Sequence, residues 1–450
     1  MISRKNEAFF LFVGDVILLY LALFCMLFLR YGSGLDSRLV SLHLVPFSLL
    51  IILSIAVFFI AGLYERHTLL FQRHLPALLV KTLVVNSVLA IALFYFVPSL
   101  LITPRANLFI YLFVSFGLLF LWRRYERVVV GTGEKEYGIL VGSGAEFREL
   151  EREVNGNTRY RLEFVLVADA HAEVRTVLEE KISVAARERG VGLLVADLHD
   201  PTIEPALPLL YSLPFAGVRV VSLHAFYEEV FGRIPSSLLG YRWFLEEVST
   251  SGSRMYDITK RLMDIICVLP LLAVPLLAAP FLALAMRLED GGPLFVRQTR
   301  VGKNGRPVEI LKFRTMRFDD HGKWRPGGQS NGNQVTRVGT LLRRTRLDEF
   351  PALWNVLVGD LSLIGPRPEF KEAVEAYEAQ MPFYNARHLL KPGLSGWAQL
   401  YGEHPHHGTD VAKTRDKLSY DLFYLKNRSF WLDIKIALKT LKVLLSRSGV

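Results

Sequence analysis

Two acids stand side by side at Asp348-Glu349, inside the stretch RLDEFPALWNVLVGDLSLIGPRPE that runs from Arg346 to Glu369. Cations crowd the same part of the chain. Arg343, Arg344 and Arg346 surround the approach to the acids, and Arg297, Arg300 and Lys303 lie upstream. Lys312 and Arg314 stand in KFRTM, Arg337 in TRVG, and Arg367 in the turn Gly365-Pro366-Arg367-Pro368. Adjacent carboxylates among arginines and lysines suit phosphoryl chemistry. One carboxylate can attack phosphorus while the other helps hold Mg2+, which takes one or two carboxylates plus phosphate oxygens. An arginine on a rigid turn offers a fork for bidentate phosphate contact. A plainer reading uses the same residues. Pro351 fits a first helical turn, Asp348 caps that helix, and Glu349 complements its dipole. Neighbours on a regular helix point about 100° apart, so convergence of the two acids requires irregular backbone at the helix start.

The elements that must position these residues follow from periodicity. Apolar spacing at Val338, Leu341 and Leu342, resuming at Phe350, Leu353, Trp354 and Leu357, places helical segments on either side of the acids. Pro326–Gly332, rich in Gly, Asn and Gln, reads as a loop. Further upstream, Ile265–Met286 is apolar throughout and nominally long enough to cross a bilayer. Prolines interrupt it at 270, 275 and 280, and both flanks are basic: Lys260 and Arg261 before, Arg287 after. A helix that enters and turns back keeps both flanks on one side. The expectation is a re-entrant helix over 262–288, broken at Pro275 or Pro280; the alternative is a kinked fifth span.

The whole chain has 450 residues, 51% of them hydrophobic, and a formal charge of +10. Its mean hydropathy is +0.29. That places it among membrane proteins with soluble parts. The positive charge suits anionic lipid and phosphorylated substrates, and no nucleic-acid motif is present. The two cysteines, Cys25 and Cys267, lie in apolar runs and supply neither a disulfide framework nor a metal site. Four apolar runs come first, at Phe9–Leu29, Leu42–Leu63, Leu83–Ile102 and Leu108–Trp122. The first reads as a retained span rather than a signal peptide. Lys and Arg concentrate at Arg4 and Lys5, at Arg66, Arg73 and Lys81, and at Arg123, Arg124 and Arg127; the other loops carry Arg30, Arg38 and Arg105. The asymmetry expects everything after Arg123 on the cytoplasmic face. Asp15 lies inside the first run, near its cytoplasmic end, where water or a headgroup could satisfy it.

Composition changes at Gly131. Short β-rich runs at YGILVGSG, RLEFVLVAD, GVGLLVAD and VRVVSL alternate with helical stretches at Phe147–Val154, Ala172–Arg189, Pro205–Leu213 and His224–Val230. That order argues a parallel, Rossmann-like α/β domain over 137–231, followed by a linker over 232–254. Its first turn, Gly142-Ser143-Gly144-Ala145-Glu146-Phe147, starts like a dinucleotide fingerprint but has Phe147 for the third glycine.

From Lys260 onward the chain resembles the bacterial sugar transferases, the polyprenyl-phosphate hexose-1-phosphate transferases also called monotopic phosphoglycosyl transferases. The matching pieces include Lys260-Arg261 with Asp264, Lys312-Phe313-Arg314-Thr315-Met316, Thr336-Arg337-Val338-Gly339 and Leu347-Asp348-Glu349. Trp354-Asn355-Val356-Leu357, Gly359-Asp360-Leu361-Ser362, Gly365-Pro366-Arg367-Pro368 and Lys391-Pro392-Gly393 follow in order. Gly396-Trp397-Ala398-Gln399, Tyr420-Asp421, Asn427 and Asp433 complete the set. Four spans over 1–130 and a nucleotide-fold domain before a catalytic domain at 255–450 resemble the family's long form.

The resemblance implies that a nucleotide-diphosphate sugar, UDP-linked by expectation, donates a sugar 1-phosphate to undecaprenyl phosphate at the cytoplasmic face of the inner membrane, releasing UMP. It implies Asp348 as nucleophile, a phosphosugar-aspartyl intermediate, and Glu349 near Mg2+. Lys312, Arg314, Arg337 and Arg367 are the phosphate-binding candidates. Dimerisation through the middle domain is compatible with this form. The sequence departs from the family where Tyr401-Gly402-Glu403 stands for Asn-Gly-Arg. His404, His406 and His407 follow, read as a loop. The tail Phe430–Leu445 interleaves Leu432, Ile434, Ile436, Leu438, Leu441 and Leu445 with Lys435, Lys439 and Lys442, the pattern of an interfacial helix or of a core-packing one.

Two other readings compete. Membrane-anchored nucleotide-sugar dehydratases put the chemistry in the middle domain, but they need a full glycine fingerprint and a Tyr-x-x-x-Lys pair. Tyr160, Tyr211 and Tyr227 have no lysine four residues on. A non-catalytic scaffold for polysaccharide assembly would be favoured by loss of Asp348 or Glu349, and both are present.

Overall fold

Backbone that leaves water must satisfy its own polar groups, and the apolar N-terminal stretch does so with helices. They are α1 (Glu7–Tyr31), α2 (Ser37–Ala61), α3 (Leu75–Phe96) and α4 (Arg105–Gly131). Asp36 caps α2, accepting from the Ser37 N–H at 2.6 Å, and Gly62 ends it at φ 80°. The computed structural model describes residues 7–64, 75–96, 105–131, 136–157, 160, 162–169, 171, 180–182, 184–185, 190–248, 254–317, 335–402 and 411–446. Outside them fall Arg4, Lys5, Arg66, Arg73, the loop 326–332, Glu403 and the histidines 404, 406 and 407, as well as most of 172–189 and the end of the third expected run. The helices extend beyond the apolar runs because flanking polar residues continue the hydrogen-bond ladder.

Contacts divide the chain into two units: Met1–Glu136 with Asn157–Glu163, and Tyr137–Gly156 with Phe164–Val450. In the first, Leu23 and Met26 of α1, Phe47 and Phe58 of α2, Leu79 and Ala90 of α3, and Tyr111 and Leu119 of α4 share one buried cluster. Two stretches, Leu11–Gly34 and Ser37–Ala61, are long and apolar enough to cross a bilayer, with hydropathies of 2.5 and 2.8. Leu78–Phe94 and Asn107–Arg123 are apolar but shorter.

Asp15 differs from expectation. It is fully buried, and its Oδ2 is paired within the protein: Arg123 Nη2 reaches that oxygen at 2.6 Å and the Tyr64 hydroxyl donates to it at 2.8 Å. Arg123 is therefore an internal counter-charge rather than a solvated flank.

In the second unit, β1 (Glu136–Gly142), α5 (Ala145–Gly156), β2 (Leu162–Asp169), β3 (Val191–Ala196), β4 (Arg219–Ser222) and α6 (Leu223–Phe231) build a small sheet in the order β2-β1-β3-β4. β1 pairs with β3 and β3 with β4 in parallel, with Ile139 opposite Leu194 and Leu194 opposite Val220. The expected helix over Pro205–Leu213 is instead three short pieces across 204–216, each with a proline in its first turn.

The C-terminal region begins with α7 (Arg254–Leu271) and α8 (Ala273–Glu289), which meet at a 40° bend. The break lies at Leu272. Pro275 explains it, since a proline clashes with the carbonyl four residues earlier, here Leu271. Pro280 lies within α8 without ending it. Leu276, Leu277, Phe281, Leu284 and Leu288 are exposed along α8, as are Leu262, Ile266 and Leu269 along α7.

β5 (Phe295–Val301) and β6 (Pro307–Phe313) form an antiparallel hairpin. Then come α9 (Arg337–Thr345), a 3-10 helix over Leu347–Ala352, α10 (Leu353–Val358), β7 (Ser362–Ile364), α11 (Lys371–Glu378) and β8 (Gly393–Ser395), parallel to β7. α12 (Val411–Asn427) and α13 (Phe430–Ser446) close the chain. α13 turns Ile436 fully into the core, while Leu441, Val443 and Leu444 stay exposed.

Candidate functional site

Thr336 caps α9 by accepting from the Gly339 N–H at 2.8 Å. A Cβ on Gly339 would lie 2.0 Å from the Thr315 carbonyl oxygen, so only glycine lets α9 pack onto the strand end that carries KFRTM. α9 ends at Arg346, whose φ of 58° turns the chain into the 3-10 helix holding both acids. Asp348 is therefore not a helix cap; the cap position belongs to Arg346. The acids lie on a 3-10 turn, in which neighbours leave the backbone about 120° apart.

The acids consequently meet different partners. Glu349 Oε1 takes Lys312 Nζ at 2.9 Å and Arg367 Nη2 at 2.9 Å. Among the described residues no cationic side chain is in ion-pair contact with Asp348. Electrostatics follow that split. Burial by itself would raise the Glu349 carboxyl, but Arg367 and Lys312 together hold it well below the ordinary range. Burial raises Asp348, and the Glu349 charge raises it further. Burial lowers Lys312 against the pull of Glu349, whereas Glu349 raises Arg367.

Each partner is held from behind. Asn355 ties β6 to α10, donating to the Glu309 carbonyl at 2.7 Å and accepting from the Leu311 N–H at 3.0 Å, which places Lys312 beside the acids. Arg261 donates to the carbonyls of Val356 and Leu357, both at 2.6 Å, and so closes the end of α10. Arg387, buried, donates to the Arg367 carbonyl at 3.0 Å and pairs with Asp421 at 2.7 Å. Glu369 accepts from Lys417; burial pushes its carboxyl up, but Lys417 and Arg387 outweigh that and hold it at about 2. Asp433 takes Lys260 at 3.0 Å and the hydroxyls of Tyr256 and Tyr424 at 2.8 and 2.7 Å.

A small pocket opens at this point, lined by Arg300, Lys312, Glu349, Arg367, Gly393 and Leu394 among others. Asp348 is outside that lining. Arg300 stacks its guanidinium 3.3 Å from the Phe370 ring centre, and burial lowers it to about 10. Three cations against one acid give the lining an excess of positive charge, which suits an anion.

Not every expected cation belongs to it. Arg314 is buried and spends its guanidinium on Asp290, on the Pro293 carbonyl at 2.8 Å and on the Met316 carbonyl at 2.9 Å. It fixes the turn before β5 and is not available to a phosphate, which corrects its assignment. Arg337 has an exposed side chain at the start of α9, and its own N–H donates to Glu289 at 2.6 Å. No described contact joins Arg337 to the acids.

A divalent cation fits the donor set within limits. Glu349 Oε1 is already shared by two cations, so Glu349 Oε2 and the Asp348 carboxylate are the oxygens that would hold Mg2+, with substrate phosphate completing its shell. Arg300 had a sequence signal only as one of several basic residues. Glu369, Lys417 and Arg387 had none, because nothing local ties residues so far apart in the chain to one cluster.

Residues 255–447 match the family described as bacterial sugar transferase. The chain is 42% identical over 199 residues to the UDP-N-acetylgalactosamine-undecaprenyl-phosphate N-acetylgalactosaminephosphotransferase of Aeromonas hydrophila, covering 44% of this chain and 46% of that protein. It is 42% identical over 191 residues to the UDP-glucose:undecaprenyl-phosphate glucose-1-phosphate transferase of Caulobacter vibrioides, covering 42% of this chain and 71% of that protein. A third match, the undecaprenyl-phosphate glucose phosphotransferase of Komagataeibacter xylinus, is 31% identical over 322 residues, covering 67% of this chain and 58% of that one. The matched stretch thus spans about half the length of the Aeromonas protein.

Proposed function

This chain belongs to the bacterial sugar transferase family, and from that premise we propose that it transfers a sugar 1-phosphate from a UDP-sugar to undecaprenyl phosphate. The products are UMP and an undecaprenyl-diphosphate sugar, the first lipid-linked intermediate of a surface polysaccharide. The observation that carries the reading is the pairing of Lys312 and Arg367 on one oxygen of Glu349, at the wall of a cationic pocket and one residue from Asp348.

In the proposed mechanism the diphosphate enters the pocket against Arg300, Lys312 and Arg367. An Asp348 carboxylate oxygen attacks the sugar-bearing phosphorus. The bond from that phosphorus to the bridging oxygen breaks, and UMP leaves with the electron pair. A phosphate oxygen of undecaprenyl phosphate then attacks the same phosphorus and releases the Asp348 carboxylate. Glu349 holds Lys312 and Arg367 ready for the phosphates. Mg2+, when bound at Asp348 and Glu349, would supply further neutralisation of phosphate charge.

The membrane reading is part of the proposal. α1 to α4 act as four spans. α7 and α8 form a re-entrant pair whose exposed leucines and Phe281 sit in lipid and whose bend returns the chain to the cytoplasmic side. The small parallel sheet is a Rossmann-like domain. Purified protein in nanodiscs with Mg2+, undecaprenyl phosphate and a panel of UDP-sugars tests the proposal through UMP release. Lipid-dependent UMP from one sugar is the expected result. Folded protein that releases none from any UDP-sugar would count against it.

A further inference from the structure

The parallel sheet carries a side-chain cluster away from the phosphate pocket. Asp197 follows β3 directly, His199 lies in the next turn, and His224 is the second residue of α6, immediately after β4. All three therefore gather at the carboxyl ends of adjacent parallel strands, where such sheets bring side chains together. Asp197, His199 and His224 can each aim one ligand atom so that all lie within 4.8 Å of one another.

The tautomer of His224 is dictated by its neighbours. Its Nε2 lies 3.2 Å from the Leu238 carbonyl, an atom that only accepts, so Nε2 carries the proton. Nδ1 is then a bare lone pair. It is buried, has no hydrogen-bond partner, and faces Asp197 Oδ1 at 3.6 Å. His224 and Asp197 are only 3% and 6% exposed; Asp197 Oδ1 accepts the His199 N–H at 3.1 Å, while His224 Nδ1 has no donor facing it. Among the described residues no lysine or arginine forms an ion pair with Asp197. His199 repeats the pattern: its Nε2 faces Glu246 Oε2 at 3.4 Å, which leaves Nδ1 as its lone-pair nitrogen. An imidazole whose far N–H is held by a carbonyl or carboxylate is the arrangement that orients a metal-binding histidine.

We propose that Asp197, His199 and His224 bind a divalent transition metal of the Zn2+ class. Two imidazoles and a carboxylate suit Zn2+, with water in the fourth position. Ligand oxygens and nitrogens around Zn2+ at about 2.0–2.1 Å sit roughly 3.3 Å apart, so the His224–Asp197 pair at 3.6 Å is close to its bound spacing. The metal ties the linker to the sheet, because Leu238 and Glu246, which hold the two rings, both belong to the segment after α6. From the other side Lys426 of α12 reaches Glu228 in the second half of the same α6 at 2.8 Å.

The test uses the full-length protein without a histidine tag, stripped with chelator, loaded with Zn2+ and passed over a desalting column. Wild type should retain one Zn2+ per chain and melt at a higher temperature than the stripped protein. Asp197→Asn and His199→Ala should retain none at this site and show no Zn2+-dependent rise. His199 is partly exposed, so His199→Ala should fold even if Asp197→Asn does not. A full equivalent kept by His199→Ala, or no retention by wild type, overturns the proposal. Neither outcome bears on UMP release, which tests the phosphate pocket separately.

Discussion

Arg387 donates through Nη2 to the main-chain carbonyl of Arg367 at 3.0 Å, and Arg367 in turn donates to Glu349 Oε1 at 2.9 Å. The fully buried arginine therefore positions the half-buried one. Replacing Arg387 with Met leaves Asp421, almost wholly buried, without its cation. A broken buried pair costs about 3–5 kcal/mol. Arg387→Met should lower the unfolding midpoint by a corresponding amount, and Arg387→Lys should recover part of it while raising KM for the donor. A denaturation curve for Arg387→Met within about 1 kcal/mol of wild type would show that the cluster does not hold the turn.

Asp348→Asn should reduce transfer by at least about 10^3 while leaving the fold intact. Burial and Glu349 already disfavour the charged form of Asp348, so a neutral isostere relieves a cost instead of imposing one. Its melting temperature should equal or exceed that of wild type. Retained turnover, or failure to form a radiolabelled covalent adduct in wild type, would remove Asp348 from the nucleophile's role.

The same perturbation sets the acid limb of the rate profile. In the proposed mechanism Asp348 must be ionised to attack, and burial with the Glu349 charge holds it above the ordinary aspartate value of about 3.9. Activity should therefore fall with acid at a higher pH than an unperturbed aspartate would give. Glu349→Gln removes the nearby charge and should move that limb to lower pH in whatever activity remains, as read from single-turnover rates across pH. A limb that stays put would mean that another group controls it.

Glu369 makes a stability prediction with a definite sign. Its folded carboxyl sits at about 2, below the ordinary glutamate value of 4.5, because Lys417 and Arg387 outweigh burial. Its contribution is complete above pH 4.5 and is lost as pH falls through the window from there to about 2. The contribution is on the order of 3 kcal/mol, from roughly 1.4 kcal/mol per unit. Glu369→Gln should be less stable than wild type at neutral pH, and the two should approach each other in acid. Parallel stability curves down to pH 3 would contradict the linkage.

Pro275 and Pro280 should behave differently. Pro275→Leu restores an N–H and removes the clash with Leu271, so α7 and α8 should straighten towards a single span. A cysteine at the exposed hairpin residue Lys303, in a background without Cys25 and Cys267, reports the side of the membrane through an impermeant maleimide. Labelling from outside should appear in Pro275→Leu and not in Pro280→Ala. Unchanged labelling in Pro275→Leu would place the cause of the bend elsewhere.

Much of this protein was legible in one dimension. Long apolar runs, strands of the sheet and the helices around Asp348 follow from local periodicity, because backbone hydrogen bonding and burial act over neighbouring residues. The adjacent acids and their cationic setting were visible for the same reason. Tertiary structure alone decided which cations serve them. Lys312 and Arg367 converge on one oxygen, whereas Arg314, two residues on and just past the end of β6, is consumed by Asp290. Alternation puts positions two apart on one face of a strand, so the pattern alone groups Lys312 with Arg314, and only the end of β6 at Phe313 separates them. Asp15 and Arg123 illustrate the limit again: each looks like a separate membrane-edge charge, and only helix packing makes them a pair. The Asp197, His199 and His224 cluster was invisible for the deepest version of that reason. Its members acquire meaning from the parallel pairing of β3 with β4, which brings the ends of two strands together across more than 20 intervening residues.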